Sequence, residues 1–168
     1  MIFDLFKNEE VKIELTSEDD YKILSDSIQN DYDIDKVKEK FHYILKEIER
    51  AQLEFDELIP HITSNFEFAL PNSKTFHSDP TAVLGTKRIT KGEELLEIYY
   101  LLKNIYDKHL SSSERYVFVC HYIGKRSKNS IIAQLRCGKS TMQKIDSSLM
   151  IKFGICLGWK NIEKEKTD

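Results

Sequence analysis

Cysteine is scarce in this 168-residue chain, and the three present, Cys120, Cys137 and Cys156, are an odd number at unrelated spacings. That argues against a disulfide framework and leaves no zinc-ligand motif. The five histidines, His42, His61, His77, His109 and His121, are equally scattered, with no His-x-x-x-His or His-x-x-Glu pair among them. No metal and no cofactor is therefore expected. No apolar run approaches the roughly 18 residues that a membrane span needs. The opening Met1-Ile2-Phe3-Asp4 has no basic start and no long apolar segment behind it, so no secretory leader is expected and the chain is placed in the cytoplasm. A nucleophile–base–acid triad is a spatial arrangement that one sequence does not display. Nothing else in the chain makes a case for an enzyme.

What is present is a globular balance, 40% hydrophobic and 32% charged, with room for one or two small domains. The net charge of −3 conceals an asymmetry. Residues 1–109 hold 14 Lys and Arg against 23 Asp and Glu, a net of −9, whereas residues 110–160 hold 9 against 2, a net of +7. A basic module on an acidic body suits a protein whose C-terminal part meets a polyanion.

Taken in order, Val11, Ile13 and Leu15 alternate with charged residues, as do Phe66, Phe68 and Leu70, so one short β-hairpin is allowed in an otherwise all-α chain. Thr16 or Ser17 is placed to cap a helix over 18–29. A long helix follows over 34–58. Its apolar residues Ile34, Val37, Phe41, Ile44, Ile48, Ala51, Phe55 and Leu58 alternate three- and four-residue steps. Such a stripe serves either packing within the chain or the seam of a homodimer, with Ile34, Val37, Phe41, Ile44, Ile48 and Phe55 as interaction residues. Pro60, Pro71, Pro80 and Gly85 interrupt 60–91, which has no helical period and is expected to be a long loop. Residues 1–91 are thus expected to form an N-terminal helical interaction region and 92–160 a C-terminal domain, with helices over 92–108 and 114–123 and a solvated tail over 161–168.

Residues 128–153 carry the most information. Ile131, Ile132 and Leu135 mark a helix over 128–135, and Arg136-Cys137-Gly138 is a turn in which glycine is expected to supply backbone freedom. A second helix over 139–153 has Met142, Ile145, Leu149 and Phe153 on one face. Lys139, Ser140, Thr141, Gln143, Lys144 and Ser147 lie on the opposite face, which holds no acid. Short helix, turn, longer helix with a basic and amide-rich outer face is the helix-turn-helix pattern. Gly138-Lys139-Ser140-Thr141 also imitates the end of a phosphate-binding loop. That motif needs a glycine at 133, where alanine stands, and a strand where 131–135 is helical.

The stretch Ile132-Ala133-Gln134-Leu135-Arg136-Cys137-Gly138-Lys139-Ser140-Thr141-Met142-Gln143-Lys144-Ile145 resembles the DNA-binding end of sigma-factor region 4. From Leu135 to Ile145 the spacing fits without a gap, with Gly138 where that pattern has a capping serine. The order of Thr63-Ser64-Asn65-Phe66-Glu67-Phe68, Ser78-Asp79-Pro80-Thr81, a helix, Ser113-Glu114-Arg115-Tyr116 and the helix pair resembles the ArpU and RinA-type late transcription regulators of phages and mobile elements in Gram-positive bacteria. The resemblance covers about residues 35–158. It implies an activator that binds promoter DNA and recruits host RNA polymerase in the bacterial cytoplasm. In a helix-turn-helix, Lys139, Ser140, Thr141, Gln143 and Lys144 would approach base edges, while Lys125, Arg126, Lys128, Arg136 and Ser147 would meet or flank phosphates. The competing reading is an interaction protein whose helices bind polymerase or another regulator without reading DNA.

Overall fold

Ile2 and Phe6 stand one helical turn apart and enter the core from a short helix, α1 (Ile2–Lys7). The chain is all-α, and a computed structural model describes it over residues 2–58 and 80–165, the side chains of 80–86 excepted; α1 is the first of seven α-helices among the described residues. Phe6 meets the rings of Tyr99, Tyr106 and Phe118 at centroid distances of 5.5, 5.5 and 5.4 Å. The strand expected over 11–15 is not formed. A 3-10 turn, Glu10–Lys12, leaves Val11 93% exposed, and the 66–70 half of the hairpin lies outside the described residues.

The helix expected over 18–29 is replaced by a 3-10 turn, Asp20–Lys22, and a short α2 (Asp26–Asn30). Long-range hydrogen bonds are the cause. Ser112 donates its backbone N–H to Asp19 Oδ2 at 2.7 Å and its hydroxyl to the Thr16 carbonyl at 2.9 Å. The Leu24 N–H goes to Ser148 Oγ at 2.9 Å. Groups that a continuous helix would use are held by partners nearly a hundred residues away or more.

Asp33 caps α3 (Ile34–Glu57), its side chain accepting from the Lys36 N–H. Val37, Phe41 and Ile48 of the apolar stripe are buried in the chain's own core, with Ile34, Ile44, Ala51 and Phe55 half-buried beside them. Phe41 packs on Tyr122 and Phe153 at 4.8 and 5.3 Å. The stripe is thus taken up within the chain, and a homodimer seam built on it would have to open this core.

Of the loop expected over 60–91, residues 60–79 lie outside the described residues, and 80–91 are helical. Helix α4 (Pro80–His109) begins at Pro80, whose missing N–H is tolerated in a first turn. Gly92 lies inside the helix against α3, where an added Cβ would stand 3.2 Å from Phe55 Cε2. Close helix contact accounts for this glycine. No helix among the described residues is long and apolar enough to cross a membrane.

Ser111 and Glu114 form a reciprocal capping box at the start of α5 (Ser112–Val117), which runs on into a π-helical segment, Phe118–Ile123. After α6 (Lys128–Leu135), the last helix, α7 (Lys139–Cys156), passes through the middle of the molecule. Every residue of α7 from Ile145 to Gly154 is buried, among α2, α3, α4 and α5. Its polar side chains there are satisfied. Lys152 Nζ bonds Glu114 Oε2 at 2.6 Å and the His109 carbonyl at 2.9 Å. Ser148 Oγ donates to Glu114 Oε1 at 2.5 Å, and the Ser111 N–H donates to Glu114 Oε2 at 2.7 Å.

One hydrophobic cluster runs from Ile2 to Ile162, so the boundary expected near residue 91 does not divide the core. The expected solvated tail is corrected in part. Ile162 is buried, Tyr32 and Glu163 form an antiparallel bridge, and Ile162 O and Lys164 N bond Asp33 N and Asp31 O, both at 2.8 Å.

Lys152→Met strands the buried Glu114 carboxylate without its cation and is expected to cost about 3–5 kcal/mol. Glu114→Gln combined with Lys152→Met is expected to cost less than the two single changes added together. Urea unfolding of the full-length variants measures both, and strict additivity would show that the pair is not coupled.

Candidate nucleic-acid interface

Ser127 caps α6 through its hydroxyl, which accepts from the Ser130 N–H, and the helix ends at Arg136 in a left-handed conformation, φ 50°. Arg136 therefore supplies the freedom expected of Gly138. Gly138 is extended, φ −80° and ψ 166°, and is the N-cap of α7 without a side-chain cap. An added Cβ there would meet only Ser140 Oγ, at 3.9 Å, so the serine of the sigma-type pattern would fit this position. Residues 131–135 are helical, which leaves Gly138–Thr141 without the strand a phosphate-binding loop requires.

Lys139, Ser140, Thr141 and Gln143 are exposed on the first turns of α7, while Met142 and Ile145 point into the core. Here one face of the helix is open to solvent. Ser147, expected near phosphate, is buried, because it falls in the stretch of α7 from Ile145 to Gly154 that the other helices cover. Lys144 is half-buried. Its ammonium lies 3.2 Å from Asp26, and its carbonyl accepts from Gln29 Nε2 at 3.1 Å, so α2 covers this part of α7.

The remaining cations form two groups. Arg136 and Lys139 have no ion-pair partner among the described residues. Lys125, Arg126 and Lys128 are paired. Lys125 sits in a left-handed conformation, φ 56°, with its Nζ 2.7 Å from Glu49 of α3. The Arg126 guanidinium lies 2.7 Å from Glu10, whose carboxylate lifts the arginine further above its usual pKa. Its backbone is also fixed: its N–H donates to the Cys120 carbonyl at 2.9 Å, and its own carbonyl lies 2.7 Å from His121 Nδ1. The π-helical segment thus sets the position of the loop before α6, a role such segments often have near functional sites.

Lys128 bonds Asp146 Oδ2 at 2.7 Å, and Asp146 also accepts a short hydrogen bond from the Tyr122 hydroxyl. Asp146 is the acid of α7 that the outer-face pattern omits. It lies on the inner side and neutralises Lys128 at the edge of a cleft of about 400 Å³. The cleft separates the start of α3 from α6 and α7, and Lys38, Asn129, Lys139 and Gln143 are among its lining residues. No local sequence signal links Lys128, Tyr122 and Asp146, which come from separate elements. The acids Glu10, Asp26 and Glu49 were visible only as part of an acidic body.

No family model, no curated protein and no solved structure matches the chain. The geometry therefore carries the functional reading. It presents a helix end with two lysines, two hydroxyls and an amide, Lys139 to Lys144, on a turn that carries Arg136. Such a surface can donate hydrogen bonds to phosphates and present an amide to a base edge.

Burial raises the Tyr122 phenol above its ordinary pKa of 10.0, and the neighbouring Asp146 carboxylate adds to the shift. The unfolded chain loses this proton near pH 10, while the folded chain keeps it to higher pH. Stability from this group is therefore complete below pH 10 and is lost as pH rises above it, by about 1.4 kcal/mol per pH unit. Tyr122→Phe is expected to be less stable than wild type at pH 8 and to close that gap as pH goes from 10 to 11 in urea titrations. A gap that stays constant would refute the linkage.

Proposed function

We propose that this chain is a sequence-specific DNA-binding transcription regulator, a late-gene activator of a phage or mobile element that works with host RNA polymerase in the bacterial cytoplasm. One observation carries the DNA-binding part. The outer face of the first turns of α7 is exposed and carries no acid, while Met142 and the stretch from Ile145 to Gly154 are anchored in the core. Helix-turn-helix proteins read bases mainly from the N-terminal part of the second helix. The resemblance of 132–145 to sigma region 4 supports the same use, and the ArpU and RinA-type resemblance supports the link to polymerase.

In this reading Lys139, Ser140, Thr141 and Gln143 enter the major groove, and Arg136 meets a phosphate at the turn. Lys125, Arg126 and Lys128 flank the backbone at the start of α6. Lys144 stands at the edge, held by Asp26, and Ser147 takes no part. The protein acts without catalysis.

A second reading rests on α4. Ile89, Leu96 and Tyr100 of this helix are exposed, and Leu101 is exposed as well. An apolar surface of this kind suits a protein partner, which would make the chain an interaction protein that binds polymerase or another regulator without touching DNA.

Full-length protein on specific and scrambled duplexes, at several salt concentrations, separates the two. Gln suits a bidentate contact to adenine that is worth about 1–3 kcal/mol of discrimination. Gln143→Ala should therefore lose affinity for the specific site alone. Arg136→Asn keeps a residue tolerant of the left-handed conformation and removes one unpaired cation. Its loss should be even across sequences, with a slope of log affinity against log salt shallower by about 0.9. Equal losses for both variants on both duplexes would refute this division of roles. An absence of duplex binding by wild type would leave the α4 reading in its place.

A further inference from the structure

We propose that Glu10, Asp26 and Glu49 form an acidic latch on the nucleic-acid surface, and that duplex DNA must displace these carboxylates from the cations beside α7. The inference rests on the DNA-binding reading and names a regulation of that same site.

The pairs are Arg126–Glu10 at 2.7 Å, Lys125–Glu49 at 2.7 Å and Lys144–Asp26 at 3.2 Å. Their acids come from three different places in the N-terminal half: the 3-10 turn after α1, helix α2 and the middle of α3. Their cations all lie within 125–144, on the loop before α6 and on α7. The pairing is graded. The rim cations are held, whereas Arg136 and Lys139 at the turn have no ion-pair partner among the described residues. Lys128–Asp146 is a different case, since Asp146 is buried and also bonded to Tyr122.

All six latch side chains are substantially exposed, between 31% and 77% of their side-chain surface. Exposed ion pairs contribute little to folding, a factor of about 1–5 in an equilibrium for each pair. Their effect on binding a polyanion is larger in kind. A free cation that meets a phosphate releases one condensed counterion, about 0.9 per contact. A cation taken from a carboxylate leaves that carboxylate unpaired beside the DNA, where it takes a cation back from solution. The release is offset, so the salt dependence becomes shallower and the affinity lower.

The offset falls on phosphate contacts and leaves base contacts untouched. Binding to random DNA consists almost wholly of phosphate contacts. The latch therefore weakens non-specific binding more than it weakens binding at a site that Gln143 reads, and discrimination rises.

The test compares wild type with the triple variant Glu10→Gln, Asp26→Asn, Glu49→Gln in the full chain. A control variant, Glu14→Gln, Glu18→Gln, Asp20→Asn, makes the same change in net charge at acids with no ion pair among the described residues. Affinity for specific and scrambled duplexes is measured across salt concentrations, and thermal unfolding confirms that all three proteins are folded. The latch variant is expected to bind scrambled DNA about 5–50-fold more tightly at low salt. Its salt slope should steepen by up to about 0.9 for each pair removed, with a lower ratio of specific to non-specific affinity, and the control should do neither. An equal gain in the control would overturn the latch in favour of net charge. No change in the latch variant, with Gln143→Ala still losing specific affinity, would overturn the latch and leave the DNA-binding reading standing. An absence of duplex binding by wild type and both variants would remove the reading and the latch together.

Discussion

The Glu114 carboxylate is fully buried, and it accepts from Lys152, Ser148 and the Ser111 backbone. Lys152 carries its own link onward to the last residue of α4, and Ser148 receives the backbone of Leu24. Burial lowers the Lys152 pKa, and the Glu114 charge opposes that shift. Such a pair is tolerated only because every remaining donor and acceptor has a partner. The ends of α4 and α5, the irregular segment after α1 and the centre of α7 all meet here. The network fixes α7 along its axis, and so fixes how far its first turns project from the core.

That projection links the fold to the candidate site. A recognition surface needs a rigid base, because a base-edge contact fails when the side chain is poorly placed. Here the base is the buried stretch of α7 from Ile145 to Gly154, packed among four other helices. Gly154 completes it, for an added Cβ would stand 2.9 Å from the Trp159 ring and 3.0 Å from Ile162. The C-terminal residues close over the helix end and join Asp31 and Asp33 at the start of α3. The same packing brings Glu10, Asp26 and Glu49 against the basic loop and helix.

The elements legible in the sequence were those whose causes are local. Helix α3 shows its stripe from Ile34 to Phe55, and α6 and α7 show their turn at 136–138. Residues 18–29 were misread because Ser112 and Ser148 take their backbone or side-chain partners from far along the chain. Helix α4 starts earlier than expected because Pro80 and Gly85 suggest a loop, although a proline fits a first turn. Ser147 was misplaced for a related reason. Asp146, Ser147, Ser148 and Lys152 make α7 look half solvated, yet all four are buried. Hydrogen bonds and ion pairs across elements hold three of them: Asp146, Ser148 and Lys152. Polar content reports exposure only when such partners are absent. The exposed residue types of the candidate site, from Arg136 to Gln143, were visible in the sequence, but the pairing of its rim cations depended on tertiary contacts.

Hydrogen exchange along α7, with and without duplex DNA, tests most directly whether this helix is an anchored rod with a free reading end. Amides of 145–155 are expected to exchange slowly in both states, as those of a buried core helix do. Amides and adjoining loop positions over 136–144 are expected to exchange quickly in the free protein and to become protected when the duplex is added. Protection that appears on α4 while 136–144 stays unchanged would contradict the assignment of this end of α7 to DNA.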